Sequence, residues 1–336
     1  MLAALIFVIF LFDTSFALTL DPSLQESSQC TEGAAILTNE RRFVNGPPPL
    51  HMPSDLEWAY TRCGKIAVGD FYIDDSRGGK GTHYSHSRKD IDGRITASAR
   101  ELRDARSAPA HKFIDASLMT RLARALVDPS VALRLARPNS NATAVVFGSN
   151  SPGVESLLLA AGFSSVFTVE YNNLTYDHPQ LITARPSDVE AAWTASANAG
   201  EKVSYFAVPG SFDLALSISS FDHDGLGRYG DPLAPDGDLM SMETMARYLK
   251  DDGLALLAVP IGMDVVWWNV MREYGPVRLP LLISDAQWRV VERIGWVETR
   301  FGKLRDLKKG TGRPYEPVFI LEKKSVSTTL GTEEEL

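Results

Sequence analysis

Six titratable side chains crowd one short stretch of this 336-residue chain: Asp222, His223, Asp224, Asp231, Asp236 and Asp238 fall within seventeen residues. Arg228 and four glycines share the stretch. Loops are polar by nature, and Asp238 could simply cap a following helix, but this is more charge than a turn needs. Three chemistries are open to it. His223 could serve as a general base, its charged form favoured by the carboxylates beside it. Asp222 and Asp224 offer hard oxygens to a divalent cation such as Mn2+ or Mg2+. Arg228 could grip an anionic substrate through its forked donors.

A second constellation lies upstream. Ala144-Val145-Val146-Phe147 is a short apolar run, followed by Gly148, Ser149, a polar turn and Gly153. Val154, Leu157, Leu158 and Ala161 then repeat at helical spacing until Gly162, and a second apolar run ends at Glu170. This is a strand, a glycine turn, a helix and a strand closed by an acid. Glu170 falls 22 residues after Gly148, the spacing at which a carboxylate meets the ribose hydroxyls of a nucleotide-type ligand. The helix start would turn its free N–H groups toward that ligand. The competing reading is that Gly148 and Gly153 are the turn glycines of any strand–helix–strand unit.

The elements that must hold these residues follow an alternating pattern. Residues 115–137 read as a helix interrupted at Asp128-Pro129. Beyond Glu170, strands are expected at Leu181–Thr183, Phe212–Ile218, Leu254–Val259, Trp296–Phe301 and Pro317–Glu322. Helices are expected from Ser187, from Asp238 to Lys250, from Val265 to Tyr274 and from Trp288 to Ile294. Leu254–Val259 is continuously apolar, as strands of a parallel sheet are. The alternation predicts an α/β, doubly wound, mostly parallel sheet over residues 140–324. Residues 51–139 form an N-terminal extension of mixed and helical character. Residues 18–50 resemble a linker that closes at Gly46-Pro47-Pro48-Pro49, and residues 325–336 form a polar tail.

The chain carries a formal charge of −8, is 44% hydrophobic and 23% charged, and has no stripe of lysine or arginine, which argues against a nucleic-acid partner. Leu2 to Phe12 is an apolar run too short to span a bilayer, and Ser15 and Ala17 give the small-x-small pattern of a leader cleaved after Ala17. The expected location is the lumen of the secretory pathway or outside the cell, with no membrane span after cleavage. The only two cysteines, Cys30 and Cys63, could pair there as a disulfide. Asn141-Ala142-Thr143 and Asn173-Leu174-Thr175 are glycosylation sequons. His83 and His86 read as solvated polar residues, since no third ligand for a metal stands near them.

The strand and turn at Val146–Ser149, the acid Glu170, the strand at Phe212–Leu216 and the segment Leu249–Leu254 together resemble the core of class I S-adenosylmethionine-dependent methyltransferases. The run from Asp224 to Pro232 with Pro235-Asp236-Gly237-Asp238-Leu239, the run Ala258–Gly262 and the run Tyr274–Pro280 resemble the family called domain of unknown function 268. The resemblance spans roughly residues 55–322 and implies a methyltransferase-like fold. It implies that Gly148, Ser149, Gly153 and Glu170 line S-adenosylmethionine, and that Asp222 and His223 face a small-molecule or glycan acceptor. Val146 stands where that class usually has an acid. Two further readings remain: a secreted binding protein that kept the fold without the chemistry, and a metal-dependent glycosyltransferase built on Asp222-His223-Asp224.

Overall fold

The structure is a computed structural model, and it describes residues 18–19, 40–77, 81–135, 141–199, 209–303 and 314–324. The leader, Cys30, most of the glycine-rich turn at 77–81 and the acidic tail lie outside the described residues.

The N-terminal part holds strands β1 (Leu18–Thr19), β2 (Ala67–Phe71) and β3 (His83–His86). It also holds helices α1 (Glu57–Tyr60), α2 (Arg88–Ser107), α3 (Leu118–Leu126) and α4 (Pro129–Leu135). Next come β4 (Thr143–Phe147), α5 (Gly153–Ala161), β5 (Ser165–Val169), β6 (Asn173–Tyr176), β7 (Leu181–Ala184), α6 (Pro186–Ala199) and β8 (Phe212–Ile218). The chain closes with α7 (Gly237–Tyr248), β9 (Leu249–Ala258), β10 (Val265–Asn269), β11 (Met271–Glu273), α8 (Leu279–Leu282), β12 (Trp288–Ile294) and β13 (Val318–Lys323).

Seven strands make the central sheet, in the order β7-β5-β4-β8-β9-β13-β12. All run parallel except β13, which is antiparallel to both of its neighbours. From β4 the chain winds outward through β5 to β7, then returns to the other side of β4 as β8. The order of the first five strands is therefore that of a doubly wound Rossmann-like sheet, and the direction of winding reverses between β4 and β8. Ligands of such sheets bind outside the carboxyl ends of the strands at that reversal.

Both faces of the sheet are covered, so the central strands carry apolar side chains on both sides. In β4, Ala144 and Val146 point to one core while Val145 and Phe147 point to the other. The first core is covered by α5 through Leu157 and Leu158, by α2 through Ile91 and Leu102, and by α3 through Leu122 and Leu126. The second is covered by α7 through Leu239, Met242 and Met245 and by α8 through Leu279 and Leu282. Each such side chain contributes roughly 1.5–3 kcal/mol by leaving water. Helices α2 and α3 of the N-terminal extension thus help to cover one face of the sheet.

That extension is woven in at two further places. β2 pairs in parallel with β10, and β3 pairs in parallel with β6, just past Glu170. Residues 40–50, read from the sequence as the end of a linker, also pack. Arg42 and Leu233 exchange backbone hydrogen bonds of 2.8 and 2.9 Å, and the Pro48 and Pro49 carbonyls accept from the Tyr72 hydroxyl and the Trp268 ring nitrogen.

The helices expected from Val265 to Tyr274 and from Trp288 to Ile294 are strands. The first is rich in β-branched and aromatic residues and pairs with β2. In the second, a register shift between Val290 and Glu292 puts one extra residue into β12. Trp288, Val291 and Ile294 then recur every third residue, and a bulged edge strand imitates helical spacing. The segment expected as a strand from Trp296 to Phe301 contains a 3-10 turn at Glu298–Arg300.

Candidate functional site

The glycine turn sits where the winding reverses. Gly148 follows β4 with φ of +69°, and a Cβ there would lie 1.7 Å from Ser220 Oγ, on the loop leaving β8. A side chain is excluded twice, by backbone conformation and by the close approach of that loop. Ser149 is buried and donates to the Ser151 carbonyl at 3.0 Å. A Cβ on Gly153 would point at Met119 of α3, 4.0 Å away.

The start of α5 already holds a carboxylate. Glu155 is fully buried, and its Oε1 accepts from the Thr168 hydroxyl at 2.9 Å and the Tyr176 hydroxyl at 3.2 Å. Burial raises its pKa against hydrogen bonds from its own backbone N–H, Ser149, Thr168 and Tyr176. A carboxylate here complements the positive end of the helix. The turn is braced from outside by His86 of β3, whose Nε2 lies 2.9 Å from the Asn150 carbonyl.

Glu170 lies at the carboxyl end of β5, beside the Gly148 turn. Gly148 N–H donates to the Val169 carbonyl at 2.9 Å, so the turn and the acid are tied. Glu170 Oε1 accepts from both the backbone N–H and the side-chain amide of Asn172, each at 2.9 Å. Burial raises its pKa, and the Asn172 hydrogen bonds oppose that rise. A pre-aimed carboxylate at this place is what a ribose hydroxyl pair needs.

The loop after β8 divides its acids into two groups. Asp231, Asp236 and Asp238 hold the loop together. Asp231 Oδ2 accepts from Gly225 N–H at 2.8 Å and Gly227 N–H at 3.0 Å, and Oδ1 accepts from Tyr229 N–H at 3.2 Å. Asp236 pairs with Arg62 and with Arg278, the latter at 3.0 Å. Asp238 pairs with Arg278 and, at 3.7 Å, with Arg272, and it accepts from the Tyr274 hydroxyl at 3.0 Å. Burial alone would raise the Asp238 carboxyl, but Arg272 and Arg278 outweigh it and hold the group below its ordinary value. Asp238 is therefore a partner in a buried ion ladder, and the simpler reading of it as a helix cap is set aside.

Asp222 differs from them. It is fully buried in the 3-10 turn Phe221–His223 that follows β8, and neither carboxyl oxygen accepts a hydrogen bond from another residue. Burial pushes its pKa up to about 7, with Arg228 and Arg272 pulling the other way. His223 Nε2 stands 3.5 Å from Asp222 Oδ2. The opposite ring nitrogen, Nδ1, lies 2.5 Å from the Val270 carbonyl, which can only accept, so Nδ1 carries the hydrogen and Nε2 presents its lone pair to Asp222. Burial and the Arg228 guanidinium push His223 down to about 3. At His223, burial and Arg228 outweigh the flanking carboxylates that the sequence reading took to favour its charged form, and Asp222 is the member pushed toward neutrality.

Arg228 is not a free anion clamp either. Its Nε donates to Asp75 at 2.7 Å, its Nη1 to the Val270 carbonyl at 3.3 Å, and its guanidinium lies 4.9 Å from the centre of the Tyr229 ring. Asp224 is turned to Ser241, which donates to it at 2.5 Å. Among the described residues, no group of three or more His, Cys, Asp or Glu is placed to hold a metal ion, so the Asp222 and Asp224 metal pair gains no support.

Tyr229 joins the halves of the site. Its hydroxyl pKa is raised by burial and by the charges of Asp75, Asp222 and Glu170, against Arg228. It therefore sits within electrostatic reach of both the acid after β5 and the acid after β8. Tyr171, which is 42% exposed, lies within reach of Asp224, Asp231, Arg41 and Glu190. Neither tyrosine is visible as a site residue in the sequence, since each needs the sheet order to come together. Arg278 was visible only as part of the run Tyr274–Pro280.

Comparison with known proteins gives one matching family profile and a set of solved structures. No curated protein matches the chain. A methyltransferase from Burkholderia thailandensis, 1,6-didemethyltoxoflavin-N1-methyltransferase with bound 1,6-didemethyltoxoflavin and S-adenosylhomocysteine, matches at 16% identity with a TM-score of 0.34, covering 69% of this chain and 87% of its own. Mitomycin 7-O-methyltransferase MmcR matches at 13% identity and a TM-score of 0.31, over 69% of this chain and 67% of its own. The [4+2]-cyclase SpnF matches at 12% identity and a TM-score of 0.36, over 73% of this chain and 100% of its own. The profile of the family described as "Caenorhabditis protein of unknown function, DUF268" matches residues 141–291, a span that contains the glycine turn, Glu170 and the whole loop from Asp222 to Asp238.

Proposed function

We propose that this chain is an S-adenosylmethionine-dependent methyltransferase of the secretory pathway, acting on a small molecule or a glycan. The observation that carries the reading is the placement of Glu170 beside the Gly148 turn, at the carboxyl ends of β5 and β4, where the sheet reverses its winding. The residues suit the nucleoside half of the cofactor: Glu170 would hold the ribose hydroxyls, with Asn172 keeping its carboxylate in place. When bound, the cofactor supplies an electrophilic methyl group on a sulfonium.

The remaining work falls to the chain. Methyl transfer mainly needs two reactants held in line, and one base if the acceptor must lose a proton. Asp222 is that base. Its pKa of about 7 lets it take a proton near neutrality, and the His223 lone pair at 3.5 Å receives the hydrogen that Asp222 then carries. The ion ladder and Asp231 keep the loop in shape without entering the chemistry. The leader-like N-terminus and the two sequons support the secretory location.

A second reading, a binding protein that kept the fold, is favoured by Val146. That side chain is buried in the core, so the position offers no acid to the charged end of the cofactor. One experiment separates the two. Mature protein from a secretory host is titrated with S-adenosylhomocysteine in a calorimeter, followed by Glu170→Ala. Micromolar binding lost in the variant supports the enzyme, whereas a folded sample that gives no heat sinks it.

A further inference from the structure

Val146 is buried in the core and offers no carboxylate to the ammonium of the cofactor's amino-acid end, but the carboxyl edge of the sheet holds one beside the glycine turn. Ser219, the first residue after β8, has φ of +52°, in the left-handed region that residues other than glycine seldom occupy. Its hydroxyl donates to Glu316 Oε1 at 2.8 Å, and its N–H donates to the Ala258 carbonyl at 2.8 Å. Its neighbour Ser220 presses on the glycine turn, with Oγ 1.7 Å from the place of a Gly148 Cβ. Glu316 precedes β13, whose Val318 pairs with Ala258 at the end of β9, and Ala258 pairs in turn with Ile218 at the end of β8. The acid therefore lies at the carboxyl ends of β8 and β9.

Glu316 is fixed from behind. Buried Arg121 of α3 donates from Nη1 to the Glu316 carbonyl at 2.8 Å, and from its other nitrogens to the Phe113 and Ile114 carbonyls. Two residues earlier on the same helix, Met119 lies 4.0 Å from the place of a Gly153 Cβ, so α3 touches both the glycine turn and the acid. Glu316 is 7% exposed where Asp222 is 0%, and Ser219, Ser220 and Gly148 are half-buried, so this group borders solvent.

Resting on the methyl-transfer reading, we propose that Glu316, aimed by Ser219, binds the ammonium of the cofactor's amino-acid end and so replaces the acid that β4 lacks. Glu170 follows β5 and Ser219 follows β8, with β4 between them. Two strand spacings, roughly 10 Å, separate those strand ends. The two acids thus flank the Gly148 turn, one for the ribose and one for the ammonium. A carboxylate has about four acceptor sites, so the Ser219 hydroxyl leaves it capacity for a charged donor. Left-handed backbone at a serine is a cost that the rest of the fold must outweigh, and such strain gathers where a ligand is held.

Calorimetric titration of the full mature chain at pH 7.5 tests this with two ligands, S-adenosylhomocysteine and its deamino analogue, which lacks only the ammonium. The analogue is expected to bind about tenfold or more weaker, the scale of one hydrogen bond between charged groups. In Glu316→Gln the two ligands should come within about threefold of each other, because removing the ammonium and removing the carboxylate break the same contact. Glu170→Ala should weaken both ligands alike and keep the gap between them. An analogue that binds the unaltered chain as tightly as S-adenosylhomocysteine overturns the proposal, as does a gap that survives Glu316→Gln. The comparison on the unaltered chain needs no variant. Should Glu316→Gln fail to fold, Ser219→Ala stands in: it leaves the carboxylate in place but unaimed, and an undiminished gap there overturns the proposal too. S-Adenosylhomocysteine binding with no gap overturns only this inference, whereas silence from both ligands sinks the methyl-transfer reading and this inference with it.

Discussion

Asp222 Oδ2 and His223 Nε2 stand 3.5 Å apart, with the far side of the imidazole fixed on the Val270 carbonyl. Their environments push them in opposite directions. The carboxyl rises from 3.8 to about 7, mainly by burial, and the imidazole falls from 6.5 to about 3, also mainly by burial.

These shifts make opposing slopes in stability. The folded chain holds the Asp222 proton longer than the unfolded chain, so this group lowers stability as pH rises from 3.8 to about 7. The folded chain holds the His223 proton less well, so that group lowers stability as pH falls from 6.5 to about 3. The two largely cancel between pH 4 and 6.5. Asp222→Asn should expose the histidine slope, with stability rising with pH up to about 6.5. His223→Gln should expose the opposite slope, reaching at most about 4 kcal/mol, since each pKa unit is worth about 1.4 kcal/mol. Urea unfolding from pH 4 to pH 8 reads both, and parallel curves for all three proteins would contradict the opposed shifts.

Gly148 should tolerate no side chain. Gly148→Ala is expected to cost at least about 2 kcal/mol, from the positive φ and from the Ser220 hydroxyl together. Adding Ser220→Gly should return the steric part and leave about 1 kcal/mol of backbone strain. Thermal unfolding of the single and double variants decides it. A full return to parental stability would show that backbone conformation does not matter there.

Arg278 is the centre of the ion ladder, bonded to Asp236, Asp238 and the Pro235 carbonyl with almost no exposed surface. Removing one partner of a buried pair strands the others, so Arg278→Met should cost about 3–5 kcal/mol. Adding Asp236→Leu and Asp238→Leu should not restore it, because the buried Arg62 and Arg272 then lose their partners in turn. Denaturant midpoints measure both, and a single variant within 1 kcal/mol of the parent, on the order expected of an exposed pair, would refute the role given to the ladder.

Asn141 and Asn173 are both exposed, as glycan acceptors must be. Expression through a secretory host should give two glycan increments that a glycosidase removes and that Asn141→Gln and Asn173→Gln abolish one at a time. The increment at Asn173 should be the more costly to fold stability, because its side-chain carbonyl accepts from Arg185. A mature protein that carries neither increment would count against the secretory location.

The winding of the sheet was legible because its strands obey local rules. Ala144–Phe147 of β4, which ends at Gly148, and Leu254–Ala258 of β9, which follows Gly253, are continuous apolar runs, as strands of a sheet covered on both faces are. Gly148 and Glu170 were legible for the same reason, since each lies at the end of an apolar run. What local pattern could not show was charge pairing. Asp222, Asp231 and Asp238 look alike in a seventeen-residue stretch, yet one is unmatched, one is held by three backbone N–H groups and one sits between two arginines. The arginines come from 30 to 40 residues further on, and Arg62 from the N-terminal extension. The misread strand β12 failed for a local reason, a single bulged residue that changed the apolar spacing.

The pairing of β2 with β10 joins residues 67–71 to residues 265–269. As the chain leaves the ribosome, β2 has only the two-residue strand β1 on one side, and its other edge stays open until about two hundred more residues have been made, a delay on the order of ten seconds or more at ordinary rates of synthesis. The first third of the protein must therefore wait with an open strand edge, and contacts this distant in sequence also slow the folding of the finished chain. Whatever compartment the protein matures in, it should depend on holding factors that shield that edge, and messages cut short before codon 265 should yield a product that is recognised and destroyed.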